Sequence, residues 1–303
     1  MPGHRAPAPR VPEPRAPEPH VPEPHVPEPH AAETRCLVIG VLNVTPDSFS
    51  DGGRFEAVDD AIAWGLQLRD DGADIVDIGG ESTRPGAERV EPAVERQRIR
   101  PVVAALAAEG IRVSVDTMRA ETAAAAIEVG ASLVNDVSGG LADPAMASVI
   151  AATGVDFIAM HWRAHSDRMD DLDAYGDVVA EVRGELEARV VALTAAGIDP
   201  ARIILDPGLG FSKVGQNNWP LLANLDSLIG LGHRVVVGAS RKRFLGGVIT
   251  RDDGPLARDD ATTAVTTLVA DAGAWAVRVH DARAARDALG VVSAWHGARR
   301  RGG

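Results

Sequence analysis

From Cys36 onward the chain alternates short apolar, β-branched runs with alanine-rich amphipathic segments, and the alternation repeats eight times. Runs at 37–42, 74–78, 112–115, 133–135, 155–160, 202–205, 234–237 and 276–279 read as strands. Stretches near 57–71, 92–109, 119–129, 143–153, 177–196, 216–230, 259–273 and 281–294 read as helices. Strands that alternate with helices pair in parallel, with the helices outside. Eight such units in roughly 260 residues predict an α/β fold of the closed (β/α)8 TIM-barrel kind. An open doubly wound sheet is the runner-up, and it loses support because no Gly-x-Gly-x-x-Gly follows the first strand. The barrel is expected over residues 34–297, with a disordered tail at 298–303.

Residues 6–30 break this pattern. Five pentapeptides, from Ala6-Pro7-Ala8-Pro9-Arg10 to Val26-Pro27-Glu28-Pro29-His30, carry proline at every second and fourth place. Proline this dense forbids helix and sheet ladders and predicts a disordered, extended arm over 1–33. His20, His25 and His30 do not converge on a metal in such an arm, because a step of five residues turns each by about 240° and advances it roughly 15 Å.

Composition narrows the function classes. A chain of 303 residues, 45% hydrophobic, can bury one large core or two modest ones. No apolar run approaches the roughly 20 residues of a membrane span, and the N-terminus has no apolar signal-peptide region. The single cysteine, Cys36, has no disulfide partner and reads as strand core. These features lead us to expect a soluble cytoplasmic protein. A net charge of −12 speaks against nucleic-acid binding and repels small anions at long range, so any anion must be captured locally. Of 31 Lys and Arg residues only Lys213 and Lys242 are lysine. In an arginine-rich chain a lysine suggests a site that wants a compact, rotatable ammonium.

Both lysines fall in polar clusters that follow the apolar runs, on the barrel face where chemistry is built. Asn43 ends the first run and begins a polar loop, Asn43 to Gly53, longer than the usual connection and suited to a lid. Its carboxamide offers a hard oxygen for Mg²⁺, or simply starts a turn. The second loop joins Thr83 and Arg84 to the turn-formers Pro85 and Gly86, as an anion clamp or a solvated turn. Asp116, Asn135 and Asp206 finish the third, fourth and sixth runs and would converge on the axis, where two carboxylates and a carboxamide can read a flat heterocycle. Taken singly, Asp116 could cap a helix and Asp206 could start a turn. Arg278 and His280 alternate around Val279 beside a helix start, as a phosphate or diphosphate site or as two cations next to a helix capped by Asp281. His161 is a base or a packed histidine.

At these residues the chain resembles the dihydropteroate synthases, the folate-pathway enzymes inhibited by sulfonamides, and its composition is similar to that of actinobacterial members. The motifs run in order from Gly40-Val41-Leu42-Asn43-Val44-Thr45-Pro46 through Asp77-Ile78-Gly79-Gly80-Glu81-Ser82-Thr83-Arg84-Pro85, Ser114-Val115-Asp116-Thr117, Asn135-Asp136-Val137-Ser138, Asp206-Pro207-Gly208-Leu209-Gly210-Phe211, Ser240-Arg241-Lys242 and Arg278-Val279-His280-Asp281. The resemblance implies condensation of (7,8-dihydropterin-6-yl)methyl diphosphate with 4-aminobenzoate by an S_N1-like path. It implies that Asp116, Asn135, Asp206 and Lys242 hold the pterin and that Asn43, Arg278 and His280 bind the diphosphate with Mg²⁺. Thr83, Arg84, Pro85, Phe211 and Ser240 would frame the 4-aminobenzoate, with Arg84 among the catalytic groups. A homodimer through barrel helices is implied too, whereas Lys213 receives no role. Two alternatives stay open at this point: a pterin-binding methyltransferase barrel, and a non-catalytic paralogue.

Overall fold

The computed structural model describes residues 35–45, 54–81, 90–163, 173–213 and 215–301. Eight parallel strands close into one barrel in chain order: β1 (Leu37–Asn43), β2 (Ile75–Gly79), β3 (Val113–Asp116), β4 (Leu133–Asp136), β5 (Asp156–Met160), β6 (Ile203–Asp206), β7 (Arg234–Val237) and β8 (Ala276–Val279). The closed barrel is therefore as expected, and the open sheet is excluded because β8 pairs with β1. The helices are α1 (Arg54–Asp70), α2 (Pro92–Ala108), α3 (Ala120–Ile127), α4 (Met146–Thr153), α5 (Val178–Ala195), α6 (Asn218–Ala223), α7 (Leu225–Ile229), α8 (Arg243–Gly246), α9 (Asp259–Asp271) and α10 (Ala282–Arg301). The proline-rich arm lies outside the described residues.

Three helical details differ from the sequence reading. The stretch expected at 216–230 is divided at Asn224, whose φ of −120° leaves the helical region while its side-chain amide donates to Pro220 O at 2.8 Å. The one-turn α8 was not foreseen. Residues 298–301 are helical and not a disordered tail, since α10 continues to Arg301. Alanine and arginine are good helix formers, and cations at a C-terminus complement the helix dipole.

Strand alternation decides what faces the axis. Val38, Val76, Val113, Val115 and Val134 point outward and join the large core under the helices. Leu37, Ile39, Ile75, Leu133, Ile158, Ile204, Val236 and Ala276 point inward and pack as a separate apolar plug. Below the plug, Asp156 meets Arg112 at 3.0 Å and Arg234 at 2.9 Å. Both guanidiniums lie over the Trp275 ring, 5.8 and 5.1 Å from its centroid. Above the plug, the next inward positions on β2, β4, β6 and β8 are polar. No helix among the described residues is long and apolar enough to cross a membrane.

Candidate active site

Two residues beyond the inward Ile75 and Leu133, the same alternation delivers Asp77 and Asn135; it likewise delivers Asp206 beyond Ile204 and Arg278 beyond Ala276. Asp116 ends β3 in register with Gly79 and Asn135. Arg278 sits at the centre. Its Nε donates to Asp77 Oδ2 at 2.6 Å and its Nη2 to Asp116 Oδ2 at 2.7 Å. Asn135 Nδ2 also donates to Asp77 Oδ2, at 3.0 Å. The other oxygens of both carboxylates, Asp77 Oδ1 and Asp116 Oδ1, are buried with no hydrogen-bond partner among the described residues.

Glycines keep the space between these groups open. A Cβ on Gly238 would lie 3.8 Å from Asp206 Oδ2, 3.9 Å from Arg278 Cβ and 3.9 Å from Lys242 Nζ, so these three side chains surround one bare patch of backbone. On the opposite wall a Cβ on Gly79 would lie 3.5 Å from Asn43 Oδ1 and 3.6 Å from Asp116 Cβ. Phe211 lies under Lys242, whose Nζ is 4.6 Å from the ring centroid and donates to Leu209 O. The Ser240 hydroxyl accepts the His280 backbone N–H at 3.2 Å and meets His280 Nδ1 at 2.9 Å. A cavity of about 660 Å³ opens beside the mouth and is lined by Asn43, Arg241, His280 and Arg283 among other residues.

Burial and charge bias every ionisable group here. Burial pushes the Asp116 carboxyl up to about 7; Arg278 opposes that shift, and the neighbouring Asp77, Asp136 and Glu95 carboxylates reinforce it. Burial also raises Asp206, against Lys242 and the Gly208 N–H. Lys242 is brought down to about 8 by burial, with Asp206 holding it partly protonated. Burial works against the Arg278 charge, but Asp77 and Asp116 keep it fully protonated.

The structure thus brings Asn43, Asp116, Asn135, Asp206, Phe211, Ser240, Lys242, Arg278 and His280 to one mouth. Thr83, Arg84 and Pro85 lie outside the described residues. Asp116 caps no helix; it faces Arg278. Asp206 takes the turn role, its Oδ1 accepting the Gly208 N–H at 2.7 Å, while its Oδ2 faces the patch at Gly238. Asp281 caps α10, accepting the Ala284 N–H at 2.9 Å, and this reduces what the helix start can offer an anion. His161 is a packed histidine, only 3% exposed. Cys36 packs at the edge of the core, its thiol pushed up to about 12 by burial. Sequence reasoning missed Asp77, which holds both Arg278 and Asn135; following the inward parity of Ile75 along β2 would have found it.

Comparison with known proteins fits this geometry. The family described as pterin binding enzyme matches residues 39–280. A dihydropteroate synthase of Mycobacterium leprae is 56% identical over 263 residues, covering 85% of this chain and 93% of its own length. The chain belongs to the dihydropteroate synthase family. Two solved structures of the family's enzyme from Xanthomonas albilineans share the barrel. The one with 4-aminobenzoic acid has a TM-score of 0.82 at 43% identity, covering 87% of this chain and 94% of that one. The one in complex with 7,8-dihydropteroate has a TM-score of 0.79 at 40% identity, with the same coverage of 87% and 94%. Family membership makes this chain a transferase.

Proposed function

We propose that the barrel mouth condenses (7,8-dihydropterin-6-yl)methyl diphosphate with 4-aminobenzoate, giving 7,8-dihydropteroate and diphosphate. The observation that carries this reading is the pair of buried carboxylate oxygens at Asp77 and Asp116, without a partner among the described residues, beside the Asn135 carboxamide. Buried acceptors of this kind call for N–H donors, and a pterin edge supplies several. Asp206 and Lys242 would complete the ring's contacts from the Gly238 side.

Charge builds on the diphosphate as its C–O bond breaks. Arg278 uses two of its five N–H donors on Asp77 and Asp116, so the same guanidinium can bridge pterin and leaving group. In the tautomer where the Ser240 hydroxyl donates to Nδ1, the His280 ring proton is on Nε2 and would donate to the departing oxygens. The carboxylates stabilise the cationic methylene that remains. An aryl amine is a weak nucleophile, so Phe211 and Ser240, with Thr83, Arg84 and Pro85, need only place it. This supports a dissociative path with no covalent protein intermediate.

Asn43 fits a Mg²⁺ that takes most of its ligands from substrate and water: its Oδ1 is a hard donor at the rim, and among the described residues no hydrogen bond engages it. No group of three His, Cys, Asp or Glu that could hold a metal occurs among the described residues. Bound there, the ion would supply charge neutralisation to the leaving group. The exposed Leu268 on α9 and Val291 and Trp295 on the adjacent α10 support a homodimer through these helices. The lone thiol and acidic balance suit a cytoplasmic enzyme without nucleic-acid partners.

The test is a coupled assay of diphosphate release and dihydropteroate formation with both substrates and Mg²⁺. Product that needs all three and falls with a sulfonamide is expected. A folded protein that binds pterin and forms no product would overturn the reading.

A further inference from the structure

The chain's only two lysines both donate to the backbone of one loop, residues 207–213 between β6 and α6. Lys242 takes Leu209 O from the side of the mouth. Lys213 approaches from behind, 2% exposed, with Nζ at 3.1 Å from Gly208 O, 3.0 Å from Phe211 O and 2.9 Å from His161 Nδ1. An ammonium has three donors and no acceptor, so all three hydrogens go to protein and His161 Nδ1 must accept. The His161 proton then sits on Nε2, 2.9 Å from Glu185 Oε2 on α5. Burial, with Lys213 adding to it, brings His161 down to about 4, which agrees with a neutral ring that passes the Glu185 charge inward. Glu185 also binds Arg163, whose guanidinium lies 3.9 Å from the Tyr175 centroid, and Tyr175 Oη donates to Ser212 O at 2.9 Å. Two chains of contacts from one glutamate therefore end on the same loop.

The loop needs such bracing. It carries left-handed residues at Gly208, Gly210 and Ser212, the last a non-glycine at φ 48°. Its carbonyls at 208, 209, 211 and 212 turn toward donors outside any strand or helix ladder. The acceptors around Lys213 converge on a point, which suits a rotatable ammonium and not the planar fork used almost everywhere else in this chain.

We propose that the buried Lys213 and His161, anchored by the solvent-exposed Glu185, form a positioning relay that fixes the Phe211 edge of the mouth and so sets the capture of 4-aminobenzoate. The substrate assignment rests on the synthase reading above. Lys213 touches no substrate; it acts through the backbone on either side of Phe211.

Two variants test this, Lys213→Met, which keeps the stem, and His161→Phe, which keeps a ring and is the fallback if the first fails to fold. The KM for 4-aminobenzoate should rise about tenfold in the first and about threefold in the second, while the KM for the pterin diphosphate stays within about twofold. Lys213→Arg should not rescue. A merely structural role would move both KM values together or lower only the melting temperature, and either result overturns the proposal. A second readout does not depend on turnover. With two lysines in the chain, ¹⁵N-lysine labelling gives two side-chain signals, and the one lost in Lys213→Met belongs to the relay. Below the folded pKa of about 7, to which burial lowers Lys213 against Asp206, with Lys242, Arg163 and Glu185 also facing it, that signal should be an ammonium that shifts in Glu185→Gln. No shift would break the relay. Wild-type protein that turns nothing over but shows the shift sinks the synthase reading and leaves the relay standing. Active wild type with an unchanged 4-aminobenzoate KM in both variants sinks the relay alone.

Discussion

One guanidinium stands between two carboxylates at the axis, and that ratio sets how the site titrates. Asp116, raised to about 7 by burial and by the carboxylates around it, must be ionised to accept a ring N–H and to steady a cation. Lys242, lowered to about 8 by burial, must stay protonated to oppose Asp206. Activity through the free enzyme therefore falls below about 7 as Asp116 gains its proton and above about 8 as Lys242 loses one. A bell-shaped profile of kcat/KM with its maximum between those values is expected, and Asp116→Asn should remove the acid limb from whatever activity remains. A flat profile from pH 6 to 9 would contradict the assignment. Asp77 gives a sharper test. In Asp77→Asn one amide oxygen can still accept from Arg278 and Asn135, but the charge facing the guanidinium is lost and the second carboxylate acceptor becomes an N–H donor. The protein should fold and lose about 10–100-fold in kcat/KM, read by steady-state kinetics, because an N–H donor then faces the ring N–H groups and the guanidinium has lost one counter-charge.

At the scale of single elements, the loop after β6 shows how backbone shape carries function. A Cβ on Gly208, at φ +65°, would lie 2.5 Å from His161 O, a backbone atom that cannot swing aside. Gly208→Ala should cost about 1–3 kcal/mol in denaturant melts, and it should lower pterin affinity in calorimetry because the Gly208 N–H holds Asp206. Unchanged affinity would detach the turn from the site. The sequence made the strands readable, since eight β-branched runs bounded by polar clusters have few other uses in one chain. It hid the break at Asn224, because Leu221, Leu225 and Leu228 keep an apolar spacing of four and three straight across it. It hid α8, whose four residues are too few to show a period. Most of the mouth was readable because Asp116, Asn135, Asp206 and Arg278 end or nearly end their runs. Asp77 was not, because it lies inside one, and the relay through His161 and Glu185 was not, because no spacing rule joins β5, α5 and the loop after β6.

Across the whole molecule the barrel separates its two polar ends by the apolar plug of Ile39, Ile75, Leu133, Ile158, Ile204 and Val236. The upper end is strained, charged and open, and the lower end is closed by a single carboxylate. Asp156 on β5 binds Arg112, which precedes β3, and Arg234, which begins β7, with Arg202 at 3.7 Å before β6. Four strand beginnings are thus tied at one point, and Trp275 before β8 stacks against two of the same arginines. Asp156→Ala would leave those guanidiniums facing one another around an empty centre. Their outer atoms reach solvent, so the loss should be about 2–3 kcal/mol, below the roughly 3–5 of a fully buried broken pair, with the melting temperature falling by roughly 5 °C or more. Because the plug isolates this end from the mouth, kcat/KM at a temperature where the variant is folded should stay within about twofold of wild type. A large loss of turnover with unchanged stability would mean that strand starts and the mouth move together, and that the barrel transmits along its axis what its layered packing implies it keeps apart.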